Sequence, residues 1–194
     1  MKAILMSIQP KWVAKILNGE KTIEVRKRFP LNYRGWVYIY VTKGKHNLVK
    51  PRFYDKYLLF TKGALNIAKE ESINGKVVAR FYCDNVEEIK LERVNDYSYN
   101  TFEYMTETLT ENELLKLSCL REYELNNYLT GNGYAIHISQ LEIFDKPKEL
   151  SEFYKIGHYE DFNDYFTDEK RINGKWCIPL TKAPQSMMYI EVVE

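Results

Sequence analysis

Apolar positions along this chain fall in short alternating or continuous stretches broken by polar turns, and helical spacing is confined to a few places. Ala3–Ile8 is almost entirely apolar and predicts a short buried strand. Pro10 suits the first turn of a helix, where its missing N–H is not needed. Trp12, Val13, Ile16 and Leu17 then recur at helical spacing, and Asn18-Gly19 supplies a C-terminal stop. Directly after that turn, Ile23 and Val25 alternate with Thr22, Glu24 and Arg26. Successive strand side chains point to opposite faces, so the apolar pair and the charged set are expected to diverge, with Lys21 at the mouth of the strand. Trp36–Thr42 is apolar or aromatic on both faces, which predicts a strand buried on both sides.

Lys43–Asn74 is less regular and reads as a long connection carrying a short helix near Gly63–Glu71. Lys76–Tyr82 is a strand candidate, followed by Val86–Leu91, while residues 92–108 are polar, tyrosine-rich and read as loop. Thr110 with Glu113 three residues on has capping-box spacing and predicts a helix start, with a second helix over Leu120–Leu129 ending at Gly131. Tyr134–Phe144 reads as one alternating strand ended by Lys146-Pro147. Ser151–Asp168 is acidic and aromatic with no clear element, and Trp176–Pro179 and Met187–Val193 close the chain as strands. Many short strands, two or three short helices and long connections predict an α+β fold, a small mixed β-barrel with short helices covering the barrel openings.

Composition narrows the class. At 194 residues, 45% hydrophobic and 14% aromatic, the chain suits one globular domain with a real core. No apolar run approaches the ~18 residues of a membrane span. Ala3–Met6 is too short for a signal core, so a cytoplasmic location and no membrane partner are expected. Cys83, Cys119 and Cys177 form no paired spacing, and His46 and His158 have no neighbours at metal-ligand spacing. No metal and no cofactor are expected. Net charge is only +1, yet residues 1–52 carry twelve Lys or Arg against Glu20 and Glu24 alone. That asymmetry suggests a basic surface for phosphates, unless acidic segments fold back onto it.

The series Ser7-Ile8-Gln9-Pro10-Lys11, the helix with Trp12, and Asn18-Gly19-Glu20-Lys21-Thr22-Ile23-Glu24-Val25-Arg26 resembles the ASCH domain, a branch of the PUA-like β-barrels, in its phage and bacterial form. Its signature is a helix followed by Gly-x-Lys-x-x-Glu-x-Arg. Asn74–Ala79, Gly133–Ser139 and Ala183-Pro184-Gln185-Ser186 are similar to later stretches of the same family. The resemblance spans nearly the whole chain and implies one domain over 1–194, with insertions near 43–74 and 151–175. It further implies a cleft beside the first helix, lined by Lys21, Glu24 and Arg26 and binding RNA or a nucleotide. Lys and Arg hold phosphate oxygens, and Glu accepts from an exocyclic amine or holds the lysine.

Some members of the family are amidohydrolases acting on acylated cytidine, with a threonine nucleophile three residues after the lysine. Glu24 stands there instead, and a carboxylate does not replace an activated hydroxyl. Other relatives are implied to cleave RNA, for which Lys21, Glu24 and His137 would supply acid–base and electrostatic groups if they converge. Each remaining candidate has a structural alternative. His137 between isoleucines is a ligand contact or a hydrogen-bonded core residue. Trp12 stacks a base or packs in the core, while Trp36, Tyr38 and Tyr40 are read as packing. Gln185 and Ser186, with Ser7 and Gln9, contact a ligand edge or form a locally bonded turn. RNA or nucleotide binding is therefore expected first, a hydrolase acting on RNA or a modified cytidine second. A protein partner engaged through Lys43–Asn74 stays open.

Overall fold

A computed structural model describes residues 1–51, 53–61, 72–96, 99–157, 170–172 and 174–193. Its elements run β1 (Lys2–Ile8), α1 (Pro10–Leu17), β2 (Ile23–Arg26), β3 (Gly35–Val41), β4 (His46–Val49), β5 (Leu58–Thr61), β6 (Val77–Cys83), β7 (Val86–Asp96) and β8 (Tyr99–Met105). They continue with α2 (Glu111–Ser118), α3 (Glu122–Tyr128), β9 (Gly133–His137), β10 (Ser139–Lys148), a 3₁₀ turn (Leu150–Glu152), β11 (Tyr154–Ile156), β12 (Lys170–Ile172), β13 (Lys175–Pro179) and β14 (Met187–Glu191). These residues form two compact units: Met1–Leu17 with Gly35–Phe81 and Leu141–Glu194, and Asn18–Arg34 with Tyr82–Gln140.

The first unit is built on a sheet ordered β10-β6-β3-β1-β14-β11-β13-β12. The apolar β1 lies between β3, to which it runs parallel (Ile4↔Val37 to Ile8↔Val41), and the antiparallel β14. Strands covered on both faces need near-continuous hydrophobic runs, and both β1 and β3 have them. On one face Ala3, Leu5, Tyr38, Tyr40 and Ile190 pack with Phe153, Leu180 and Val192. Trp36 lies half-buried at the margin of that core, with the Arg80 guanidinium 4.1 Å from its ring, so the aromatic β3 residues pack as expected.

In the second unit the sheet order is β2-β9-β7-β8. Antiparallel register sets Ile23 opposite His137, Glu24 opposite Ile136, and Glu87 opposite Ala135. Ile23, Val25, Ile89 and Ala135 share one face and are covered by Leu114 of α2 and by Leu125 and Leu129 at α3. The predicted capping box is present: the Thr110 hydroxyl accepts from the Glu113 N–H, and the Thr110 N–H donates to the Glu113 carboxylate at 3.0 Å. Both satisfy backbone donors that the first helical turn leaves open.

Four expectations are corrected. Residues 92–108 are not loop: β7 runs on to Asp96 and pairs with β8 from Lys90↔Met105 to Asp96↔Tyr99. The stretch is polar and tyrosine-rich, so the pairing that makes it strand is not announced by a hydrophobic run in the sequence. Part of Lys43–Asn74 is a hairpin of β4 on β5, its register running from His46↔Thr61 to Val49↔Leu58. The strand foreseen over Tyr134–Phe144 breaks at Ile138 into β9 and β10, and Gln140 adopts a left-handed φ of 44° as the chain changes sheets. Pro147 does not end β10, which occupies the outer position of its sheet and needs no N–H on its free side. The helix foreseen near Gly63–Glu71, and most of the acidic segment after Gly157, lie outside the described residues.

Candidate functional site

The second unit holds the signature residues. Gly19 takes a φ of 73°, the left-handed conformation glycine adopts without strain, and turns the chain from α1 toward β2. At the end of α2, Cys119 takes φ 54°, and the N–H groups of Cys119 and Leu120 fold back onto the carbonyls of Lys116 and Leu115. This Schellman-type ending leaves the Leu117 and Ser118 carbonyls directed outward. The Thr22 N–H donates to Leu117 O at 3.0 Å, and Lys21 Nζ donates to Ser118 O at 2.7 Å. The lysine charge thus sits at the negative end of a helix.

Lys21 Nζ also lies 3.4 Å from Glu24 Oε2, and Glu24 Oε1 lies 2.9 Å from Arg26 Nε. The Arg26 N–H is not aimed along that contact, which therefore acts through charge. All three residues are buried, with Lys21 only 3% exposed. Burial lowers the Lys21 pKa, and the Glu24 carboxylate opposes that shift. The charged face of β2 is thus not a solvated strand face. It is an ordered cluster in which both cations meet the same carboxylate.

His137 does not join it. By the β2–β9–β7 register, His137 shares its face with Ile23, Val25, Ala135 and Glu87, whereas Glu24 and Arg26 point to the opposite face with Tyr134 and Ile136. His137 Nε2 lies 2.6 Å from Glu87 Oε1. The buried Glu87 also accepts from Thr106 Oγ1 at 2.6 Å, Thr108 Oγ1 at 2.8 Å and the Thr108 N–H at 3.0 Å. Burial alone would raise the Glu87 pKa, yet these hydrogen bonds together hold it below the usual carboxylate value. Glu87, Thr106, Thr108 and Ser118 were not among the residues singled out in the sequence. One signal was available: Glu87 shares the parity of Ile89 and Leu91, an acid on an apolar stripe.

The remaining candidates belong to the first unit. Ser7 N–H donates to Ser186 O at 2.8 Å and Ser7 Oγ to Pro184 O at 2.6 Å, so β1 anchors the turn that carries exposed Gln185 and Ser186. Gln9 O accepts from the N–H groups of Trp12 and Val13 and opens α1. Trp12 lies beside the buried stripe of Val13, Ala14, Ile16 and Leu17, with Lys11 Nζ 4.2 Å from its ring. His46 is exposed, and His158 lies outside the described residues. Among the described residues no group of three His, Cys, Asp or Glu is placed to hold a metal ion. Nor is any described helix long and apolar enough to cross a membrane. An open concavity of about 330 Å³ in the second unit is lined by Glu88, Glu92 and Glu107 against Lys90, a charge balance unsuited to phosphate.

The architecture is α+β, mostly strand with short helices, of the small barrel-like kind. It is an ASCH-type fold. The chain is similar to the crystal structure of an ASCH protein from Zymomonas mobilis at a TM-score of 0.51 and 15% identity, over 97% of this chain and 87% of that one. A tyrosine-to-phenylalanine variant of that protein gives 0.51 and 15% over 98% and 91%, and a serine-to-alanine variant 0.50 and 14% over 97% and 88%. No family model and no curated protein matches the chain. At this identity the likeness concerns the fold, and activity has to be argued from the site.

Proposed function

We propose that this ASCH-fold protein binds RNA or a nucleotide at a basic site centred on Lys21, Glu24 and Arg26. The observation that carries the reading is the buried ion cluster itself. Lys21 is tied to Ser118 O and Glu24, so Glu24 and Arg26 are held in fixed positions before any ligand arrives. Pre-organised charge binds without the entropic cost of ordering long side chains. A phosphate oxygen competes with Glu24 for Arg26, and the carboxylate released from that pair accepts from a base amine. The basic first 52 residues support the same ligand class.

The test is binding of a ribonucleotide panel and a short single-stranded RNA at low and at moderate salt. Binding is expected to weaken with salt and to drop about tenfold in Arg26→Ala, one lost charge-assisted contact. Absence of any binding at low salt overturns the reading.

A second reading, hydrolysis of RNA or of an acylated cytidine, is favoured by the lowered pKa of Lys21. A buried lysine that loses its proton more readily serves as a base. Turnover of both substrates by the native chain and by Glu24→Gln tests it. If saturating native enzyme forms no product, the hydrolase is excluded.

A further inference from the structure

On the helix-covered face of the second unit, Glu87, His137, Thr106 and Thr108 form a site that the Lys21 cluster does not use. Glu87 accepts from the two threonine hydroxyls and the Thr108 N–H, so its carboxylate is an acceptor locked in place. An acceptor at 2.6 Å from His137 Nε2 requires the imidazole proton on that nitrogen. The lone pair of the neutral ring then lies on Nδ1, which has no protein partner among the described residues. The His137 side chain is 28% exposed, so solvent and solutes reach the ring.

The same residues lead to a cation. Asn85 O accepts from the His137 N–H at 3.0 Å, Asn85 Nδ2 lies 3.4 Å from Glu87 Oε1, and Asn85 Oδ1 accepts from Arg34 Nη2 at 3.1 Å. Arg34 is exposed and is braced by the carbonyls of Leu31 and Tyr33. A lone pair that accepts from O–H and a braced guanidinium that takes an anion are joined through one asparagine.

We propose that this is a second ligand site, in which His137 Nδ1 accepts a hydrogen bond from a sugar hydroxyl and Arg34 holds the phosphate of a ribonucleotide. Glu87 is the positioning residue that fixes the ring tautomer. The ligand class rests on the nucleotide-binding reading above, whereas the site is separate from that of Lys21.

The test uses the full ¹⁵N-labelled chain and the ring nitrogen resonances of His137, titrated with ribonucleoside 5′-monophosphates and with their 2′,3′-dideoxy counterparts. Expected are a ring protonated at Nε2, a shift of Nδ1 with the ribonucleotides, and little or none with the dideoxy compounds. Glu87→Gln, whose amide donates to the ring, should move the tautomer toward Nδ1–H and abolish that shift. His137→Gln and Arg34→Gln should each weaken binding at this site about tenfold, and the native ring spectrum decides should either variant fail to fold. An Nδ1–H tautomer in the native chain, an unmoved Nδ1, or equal shifts from the dideoxy compounds overturns the proposal. Nucleotide shifts confined to Arg26 would overturn it while leaving the first site standing.

Discussion

Lys21 is where stability and binding draw on the same atoms. Its ammonium meets Ser118 O and Glu24 out of contact with water, so Lys21→Met strands a buried carbonyl and removes one of the two cations that meet Glu24. Removing one partner of a buried charge pair costs about 3–5 kcal/mol, and urea unfolding of Lys21→Met should show a loss at or somewhat below that range, because Arg26 still pairs Glu24. The lowered pKa has a definite sign. Between the folded value and the unfolded value of about 10.4, the unfolded chain holds the extra proton. Stability therefore rises with pH across that window, and Lys21→Met should flatten the rise. Glu87 works in the opposite range. Its folded pKa lies below the unfolded value, so its contribution is present above about pH 4.5 and is lost as pH falls through the folded pKa. The groups facing it are His137, Thr106, Thr108 and Asn85. Unfolding followed from pH 7 to pH 3 should show a smaller acid loss in Glu87→Gln than in the native chain.

Elements whose ends are written in local chemistry were legible, and those fixed by long-range pairing were not. Thr110 and Glu113 announce α2 because both partners of the capping box lie within four residues. Thr110→Ala should cost about 1 kcal/mol in unfolding experiments. Cys119 gives no such signal, since only φ 54° makes it the residue that ends α2. Cys119→Gly should be neutral to stabilising, whereas a β-branched Cys119→Val should destabilise by about 1 kcal/mol or more. Gly133 shows the same limit. A Cβ there would stand 2.7 Å from Leu129 Cδ2 and 3.1 Å from the backbone O of Arg26. The leucine can rotate but a strand carbonyl cannot, so Gly133→Ala should displace β9 from β2 beside the ion cluster. Loss of stability together with weaker nucleotide binding is the expected outcome. The signature over Asn18–Arg26 could be read because turn, lysine, acid and arginine are consecutive. The Glu87–His137 pair could not, because it joins residues 50 apart and depends on the register of β9 against β7. The β7–β8 pairing was missed because the polar, tyrosine-rich stretch over 92–108 carries no hydrophobic run to mark it.

At the scale of the whole chain, the connectivity carries an argument of its own. The path passes between the two units after Leu17, Arg34, Phe81 and Gln140, so neither unit is one continuous segment. Each has to bring distant stretches together, with β1 against β14 in the first unit and β2 against β9 in the second. Closing such loops is costly in entropy until the contacts they enable have formed. A unit that opened alone would also leave several strands of its neighbour tethered to unfolded chain at both ends. We therefore propose that residues 1–194 unfold as one cooperative domain. The tryptophans permit a direct test, because Trp12, Trp36 and Trp176 all belong to the first unit, whereas His137 belongs to the second. Tryptophan fluorescence and the His137 ring proton signal, followed through the same urea titration, should give coincident midpoints and slopes. Separated transitions would mean two independently folding domains. In that case Lys21→Met and Gly133→Ala should move only the transition reported by His137.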